Sequence, residues 1–236
     1  MTLQNQHILI IGGSSGIGLA TAQLALAEGA HIVIASRSPQ KARASLGNQI
    51  ETAALDMSEE AQVKAFFENS HGTFQHILVS SAMPGTGVLL EESTAEARKI
   101  FDTKYWGSYY VAKYGIPKLA ERGSLTLVAG VVPFKVMAGT TTMAAINSAQ
   151  IGLARTLALE VAPRRVNVVS PGITDTSAWK KLPVEERETF LTGLAKQLPA
   201  GKVGEPADLA ESVLFLMKNS YITGTVLHVE GGHQLI

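Results

Sequence analysis

The stretch His7–Gly18, HILIIGGSSGIG, sets a short β-branched run directly against the loop Gly12-Gly13-Ser14-Ser15-Gly16-Ile17-Gly18. A helical pattern follows at once. The run His7–Ile11 has the length and branching of a buried strand. Glycines after it allow a tight turn and leave bare backbone for close approach. A helix starting at such a turn presents unpaired N–H groups and the positive end of its dipole, which suits a pyrophosphate. A purely structural strand–helix turn would look similar, but the flanking elements favour a dinucleotide site. Gly12, Ser14, Ser15, Gly16, Ile17 and Gly18 are its expected phosphate-side residues.

Outward from this loop the same alternation continues. His31–Ala35, His76–Ser80, Ser124–Ala129, Arg165–Ser170 and Thr225–Val229 read as further strands, several apolar on both faces, as in a covered parallel sheet. Helical periodicity spans Gly18–Glu28, Glu59–Asn69, Thr94–Leu119, Ala144–Glu160 and Ala207–Met217. Pro163, Pro171, Pro183, Pro199 and Pro206 fall at loop positions. The pattern predicts a doubly wound α/β Rossmann fold in three layers, α/β/α, with right-handed crossovers. No repeat, linker or low-complexity segment divides residues 1–236, so a single dinucleotide-binding domain is expected.

Composition excludes several classes. Twenty basic and twenty acidic residues leave no net field to attract nucleic acid or an anionic membrane. No apolar run reaches membrane-spanning length, and the first residues carry no secretory pattern. The chain has no cysteine, which removes disulfides, thiolate catalysis and Cys-ligated metals and accords with a cytoplasmic protein. His7, His31, His71, His76, His228 and His233 show no ligand spacing, so no metal is expected.

The spacing Gly-x-x-x-Gly-x-Gly resembles the short-chain dehydrogenase/reductase family. Leu157–Pro163 (LALEVAP), Arg165–Gly172 (RVNVVSPG), Lys202–Asp208 (KVGEPAD) and Tyr221–Gly232 (YITGTVLHVEGG) extend the resemblance over essentially the whole chain. In that family an acidic residue at the end of the second strand favours NAD. Here Ser36-Arg37-Ser38 stands instead, and a guanidinium flanked by hydroxyls suits the 2′-phosphate of NADP(H). A solvated loop arginine is the plain alternative. The resemblance places Asp56 at the adenine with Met57 beside it. Asp56 also reads as a helix N-cap in a capping box with Glu59. Ser80, Ser81, Ala82 and Met83 stand where the family carries Asn-Asn-Ala-Gly beneath the cofactor. Pro171, Gly172, Ile173, Thr174 and Thr176 match the loop that packs on the nicotinamide.

The resemblance also implies a Ser-Tyr-Lys-Asn catalytic set, and here the sequence departs. Counting back from Glu160, the Tyr-x-x-x-Lys positions fall on Met143 and Asn147, the serine on Gly130 and the asparagine on Lys104. Two literal Tyr-x-x-x-Lys strings, Tyr109–Lys113 and Tyr114–Lys118, precede the Ser124–Ala129 strand and read as packing or subunit contact. No tyrosine lies between Tyr114 and Tyr221.

Three readings follow. In the first, the chain is an NADPH-dependent carbonyl reductase with an atypical site. Lys104 then serves as acid or electrostatic stabiliser, Asn147 holds the ribose, and Thr140, Thr141, Thr142, Ser80 or Ser81 supplies a hydroxyl. Pairing of Lys104 with Asp102 or with a cofactor oxygen is the inert alternative. In the second, it is a catalytically inactive NADP(H)-binding sensor or partner subunit. The third is a lyase or epimerase on the same scaffold. Ser177–Ala200 resembles the family's substrate lid, with Trp179, Phe190 and Leu191 as candidate apolar lining. With Pro84–Leu90 and Phe134–Thr142 as opposite walls, a modest, mainly apolar carbonyl substrate is expected. The resemblance also implies a homodimer or homotetramer, built on the helices Thr94–Leu119 and Ala144–Glu160 and on the C-terminal strand and tail, Val226–Ile236.

Overall fold

A computed structural model describes residues 2–80, 87–176, 179 and 183–236. Seven strands, β1 (His7–Ile11), β2 (His31–Ser36), β3 (Ile50–Ala54), β4 (Phe74–Val79), β5 (Leu119–Val128), β6 (Arg165–Pro171) and β7 (Val226–Val229), form one sheet. Their order is β3-β2-β1-β4-β5-β6-β7, and every pairing is parallel. The order reverses between β1 and β4. That switch point opens a crevice beyond the carboxyl ends of the strands, directly above the glycine loop.

Helices cover both faces. On one, α1 (Gly16–Ala27) and α8 (Pro206–Lys218) bury Ala22, Ala25, Leu209 and Val213 against Ile8, Ile10 and Val169. On the other, α3 (Glu60–Asn69), α5 (Gly107–Gly115) and α6 (Thr141–Glu160) bury Val63, Phe67, Val111 and Ala154 against Leu9, Leu125 and Val168. Residues of the strands alternate between the two cores, which is why β1 reads as an apolar run after His7 and why every residue of β6 is buried. The three layers of the doubly wound fold are therefore present as expected.

Several boundaries differ from the sequence reading. The strand β3, IETAA, was not anticipated, nor was α2 (Pro39–Leu46), which begins with Pro at its first position after Ser38. The expected helix Thr94–Leu119 is not continuous. It runs as α4 (Thr94–Phe101), a π-helical turn over Asp102–Trp106, α5, and a 3₁₀ turn at Ile116–Lys118, and Leu119 already belongs to β5. Within the lid segment, α7 occupies Val184–Ala195. The capping box assigned to Asp56 and Glu59 is replaced by another arrangement. Asp56 Oδ1 accepts from Ser58 N and Ser58 Oγ, while Gln62 Oε1 accepts from Asp56 N, because α3 starts at Glu60 and Gln62 is the side chain that reaches back.

Candidate functional site

The glycine loop folds as its sequence requires. Gly12 and Gly16 take positive φ angles of 87° and 54°, where a side chain would strain the backbone. A Cβ on Gly18 would stand 2.7 Å from the Gly12 carbonyl oxygen, so this position accepts only glycine if the turn is to close. Ser15 sits at the N-cap of α1 in extended conformation, and its hydroxyl caps nothing. The first-turn N–H groups of α1 are thus left to face the crevice. Ser14 is half-buried and Ser15 exposed; Ile17 is half-buried.

Across the crevice, Thr176 lies against the loop: a Cβ on Gly16 would be 3.5 Å from its methyl carbon. The strand end that carries it is firmly seated. Val131 N donates to Pro171 O, and Gly172 N donates to Val229 O. Thr174 Oγ1 donates to Gly172 O, while Ile173 is half-buried beside it.

At the end of β2, Ser36 is buried with its hydroxyl lacking any partner, an arrangement that native proteins seldom leave unused. Arg37 next to it is exposed and forms no ion pair among the described residues, and Ser38 is half-buried. Asp56 is half-buried and Met57 buried at the end of the following strand. An open helix N-terminus, an unpartnered buried hydroxyl and an unpaired guanidinium along one crevice fit a phosphorylated dinucleotide. Ser80 N donates to Ile11 O at the end of β4. Ser81, Ala82 and Met83 lie outside the described residues.

The second half of the site centres on Lys104. It projects from the π-turn, is 3% exposed, and donates through Nζ to Ala129 O at 2.8 Å and Asn147 Oδ1 at 2.6 Å. Burial lowers its pKa to about 7 from the usual 10.5. Neither partner is charged, so nothing restores the ammonium. Asp102 is exposed on the other side of the turn and does not pair with Lys104, which corrects that alternative.

Asn147, also buried, reaches Lys104 from α6. Its amide nitrogen faces Gly130 so closely that a Cβ there would stand 2.7 Å from Nδ2. Gly130, Asn147 and Lys104 therefore depend on one another sterically. Sequence spacing singles out the three positions one by one; their mutual contact is a property of the fold.

Two of the hydroxyls expected nearby are engaged elsewhere. Thr140 Oγ1 donates to Met137 O, and Thr142 Oγ1 donates to a carboxylate oxygen of Glu92. Glu92 was missed in the sequence because fifty positions separate it from Thr142. Both Tyr-x-x-x-Lys strings lie outside this site. Tyr114 and Lys113 share Glu60, and Lys118 donates to Ser70 O. Trp179 Nε1 donates to Thr174 O and its ring packs on Phe190, so these two rings do meet beside the β6 loop. A cavity of about 530 Å³ between α5 and α6, lined by Tyr109, Lys113, Leu153 and Leu157 among others, shares no residue with the crevice. Among the described residues no group of three His, Cys, Asp or Glu could hold a metal ion.

With this geometry in place, comparison with known proteins is direct. The family model described as enoyl-(acyl carrier protein) reductase matches residues 12–234. The chain belongs to the short-chain dehydrogenase/reductase family. It is 31% identical to carbonyl reductase family member 4 of Danio rerio, over 97% of this chain and 98% of that protein. It is 32% identical to 3-oxoacyl-[acyl-carrier-protein] reductase of Homo sapiens, over 96% and 97%. Among solved structures, a small-chain dehydrogenase in complex with NADPH superposes with a TM-score of 0.86 at 36% identity, covering 99% of this chain and all of that one. Ligand-free aldohexose dehydrogenase of Thermoplasma acidophilum gives 0.90 at 25% identity, covering 99% of this chain and 96% of that one. Family membership and an oxidoreductase scaffold are thereby established.

Proposed function

We propose that this chain is an NADPH-dependent carbonyl reductase with an atypical active site, in which Lys104 takes over the acid role. The single observation that carries the reading is the buried Lys104 amine, held by two neutral oxygens beside the crevice. NADPH, when bound, supplies the hydride that reduces a carbonyl carbon. Gly12, Ser14, Ser15, Gly16, Ile17 and Gly18 cradle its pyrophosphate, and Ser36, Arg37 and Ser38 take the 2′-phosphate. Asp56, Met57 and Ser80 border the adenine and ribose side, and Pro171, Gly172, Ile173, Thr174 and Thr176 form the floor under the reacting end.

The remaining chemistry belongs to the chain. A lysine titrating near neutrality is protonated often enough to act as an acid and gives up its proton readily. Asn147 Oδ1 and Ala129 O hold two N–H groups of Nζ in place, which leaves the third proton as the one available to a developing alkoxide. Among the described residues no carboxylate competes for it.

The similarity to carbonyl and 3-oxoacyl reductases supports a small carbonyl substrate. Trp179, Phe190 and the segment 134–142 support an apolar one; residues 84–86 of the other expected wall lie outside the described residues. A second copy is proposed to cover Trp106 and Tyr109, which are 42% and 36% exposed on the outer face of α5 and its preceding turn.

The engagement of Thr140 and Thr142 by other partners favours a second reading, an inactive NADP(H)-binding subunit. NADPH consumption by the purified protein across aldehydes, ketones and 3-oxoacyl thioesters separates the two. Turnover with any one of them, abolished in Lys104→Met, supports the reductase. Tight NADPH binding with no turnover on the whole panel supports the inactive subunit.

A further inference from the structure

The π-turn that carries Lys104 is met by side chains that have no part in the family resemblance. Its widened ring is closed by Gly107 N, which donates to Asp102 O five residues back. Such a turn inserts a residue into the helix, and it is uncommon enough to mark a functional place in a chain. Within it the carbonyl of Lys104 is met by two side-chain donors. It accepts from Ser108 Oγ at 2.6 Å and from Gln150 Nε2 at 3.1 Å, and Gln150 Nε2 is also 2.9 Å from Ser108 Oγ. All three residues are buried.

We propose that Gln150 and Ser108 are positioning residues for Lys104, keeping the turn in its π form so that the amine points at Asn147 and Ala129. The proposal rests on the reading of Lys104 as the acid. Gln150 lies on the same face of α6 as Ile146, one turn from it, and reaches the π-turn across the helix interface. Gln150 Nε2 supplies donors to Lys104 O and Ser108 Oγ that a leucine at this position could not supply. Its own Oε1 stays buried and unpartnered, a cost that a side chain kept for packing alone would not carry. The polar side chain therefore serves the Lys104 carbonyl, and through it the direction of the Lys104 side chain.

Loss of this clamp lets the inserted residue leave the turn. Reversion to α-helix rotates the side chain by about 100° per residue of re-phasing, which carries Lys104 away from Asn147. Burial is the cause of its lowered pKa, and no other charged group among the described residues contributes. A rotated Lys104 regains solvent and titrates higher.

The test is the titration of Lys104 followed by NMR in protein labelled with 13C at the lysine ε carbon, for wild type, Gln150→Leu and Ser108→Ala. The expected result is a Lys104 midpoint near 7 in wild type and at least one unit higher in either variant, with the pH dependence of turnover moving by the same amount. Unchanged midpoints, with only the melting temperature lowered, would overturn the proposal. Ser108→Ala removes a single hydroxyl and answers the question if Gln150→Leu does not fold. The titration needs no substrate. An absence of turnover therefore counts against the reductase reading alone, while an unmoved midpoint counts against the clamp alone.

Discussion

Lys104 Nζ lies 2.6 Å from Asn147 Oδ1, the amine reaching from the π-turn and the amide from α6. With Ala129 O at 2.8 Å as its second acceptor, the amine has two neutral partners and is buried against the end of β5.

Gly130 leaves the room that the Asn147 amide occupies. A serine there would bring its Cβ to 2.7 Å from Asn147 Nδ2, and the amide would have to move. Gly130→Ser is expected to cost about 1–3 kcal/mol in urea unfolding, in the range for overpacking a full site. It should also lower turnover at least tenfold, because the displaced amide no longer holds Lys104. Retention of both stability and rate would show that Asn147 has room to spare.

The cofactor preference is expected to follow Arg37. With no acidic residue at the end of β2, the wild type should bind NADPH more tightly than NADH. Arg37→Glu should reverse the order, since a carboxylate repels a 2′-phosphate and accepts from ribose hydroxyls. Equilibrium binding followed by fluorescence of the reduced cofactors measures both. An NADPH affinity unchanged in the variant would remove Arg37 from the site.

Acid lability is expected from His76. Buried between β5 and the N-terminal segment, it accepts from Ser124 Oγ at Nδ1 and donates from Nε2 to Gln6 Oε1, both at 2.7 Å. Burial, with Arg165 nearby, lowers its pKa to about 3 from 6.5. The unfolded chain therefore binds the proton more readily between these values, and stability falls as pH drops from 6.5 toward 3. His76→Gln should flatten that slope in urea titrations at pH 7, 5 and 4. An equal slope in the variant would assign the acid lability to other groups.

Lys104 acts on stability in a higher window. Its folded pKa of about 7 lies below the unfolded 10.5, so the unfolded chain holds more protons between them. Stability should rise with pH across that interval, by up to about 5 kcal/mol at the limit of full burial. Lys104→Met should remove this rise when unfolding free energies at pH 7 and 9.5 are compared. A wild type equally stable at both would place the amine in contact with water.

Much of the fold was legible because β1, β2 and β4 are largely apolar on both faces, and β5 and β6 keep β-branched or leucine residues through their buried cores. The strand β3 was not. Its sequence IETAA carries a charge and two alanines, and as an edge strand it is only partly buried, so periodicity gives no signal. The break in the Thr94–Leu119 helix was hidden for a different reason. One inserted residue shifts the helical phase without altering composition, and no Pro or Gly marks Asp102–Trp106. The positions of Lys104, Asn147 and Gly130 could be counted from LALEVAP. Their mutual contacts, the Gln150–Ser108 clamp and the pairing of Glu92 with Thr142 join residues far apart in sequence, which no local pattern records.

The acid role of Lys104 is read from the pH dependence of kcat for carbonyl reduction with NADPH saturating. The protonated amine is the active form, so kcat should fall as pH rises through about 7. Lys104→Met should lose that limb together with most of the rate. A kcat flat from pH 6 to 9, or a Lys104→Met variant that turns over at the wild-type rate, would contradict it.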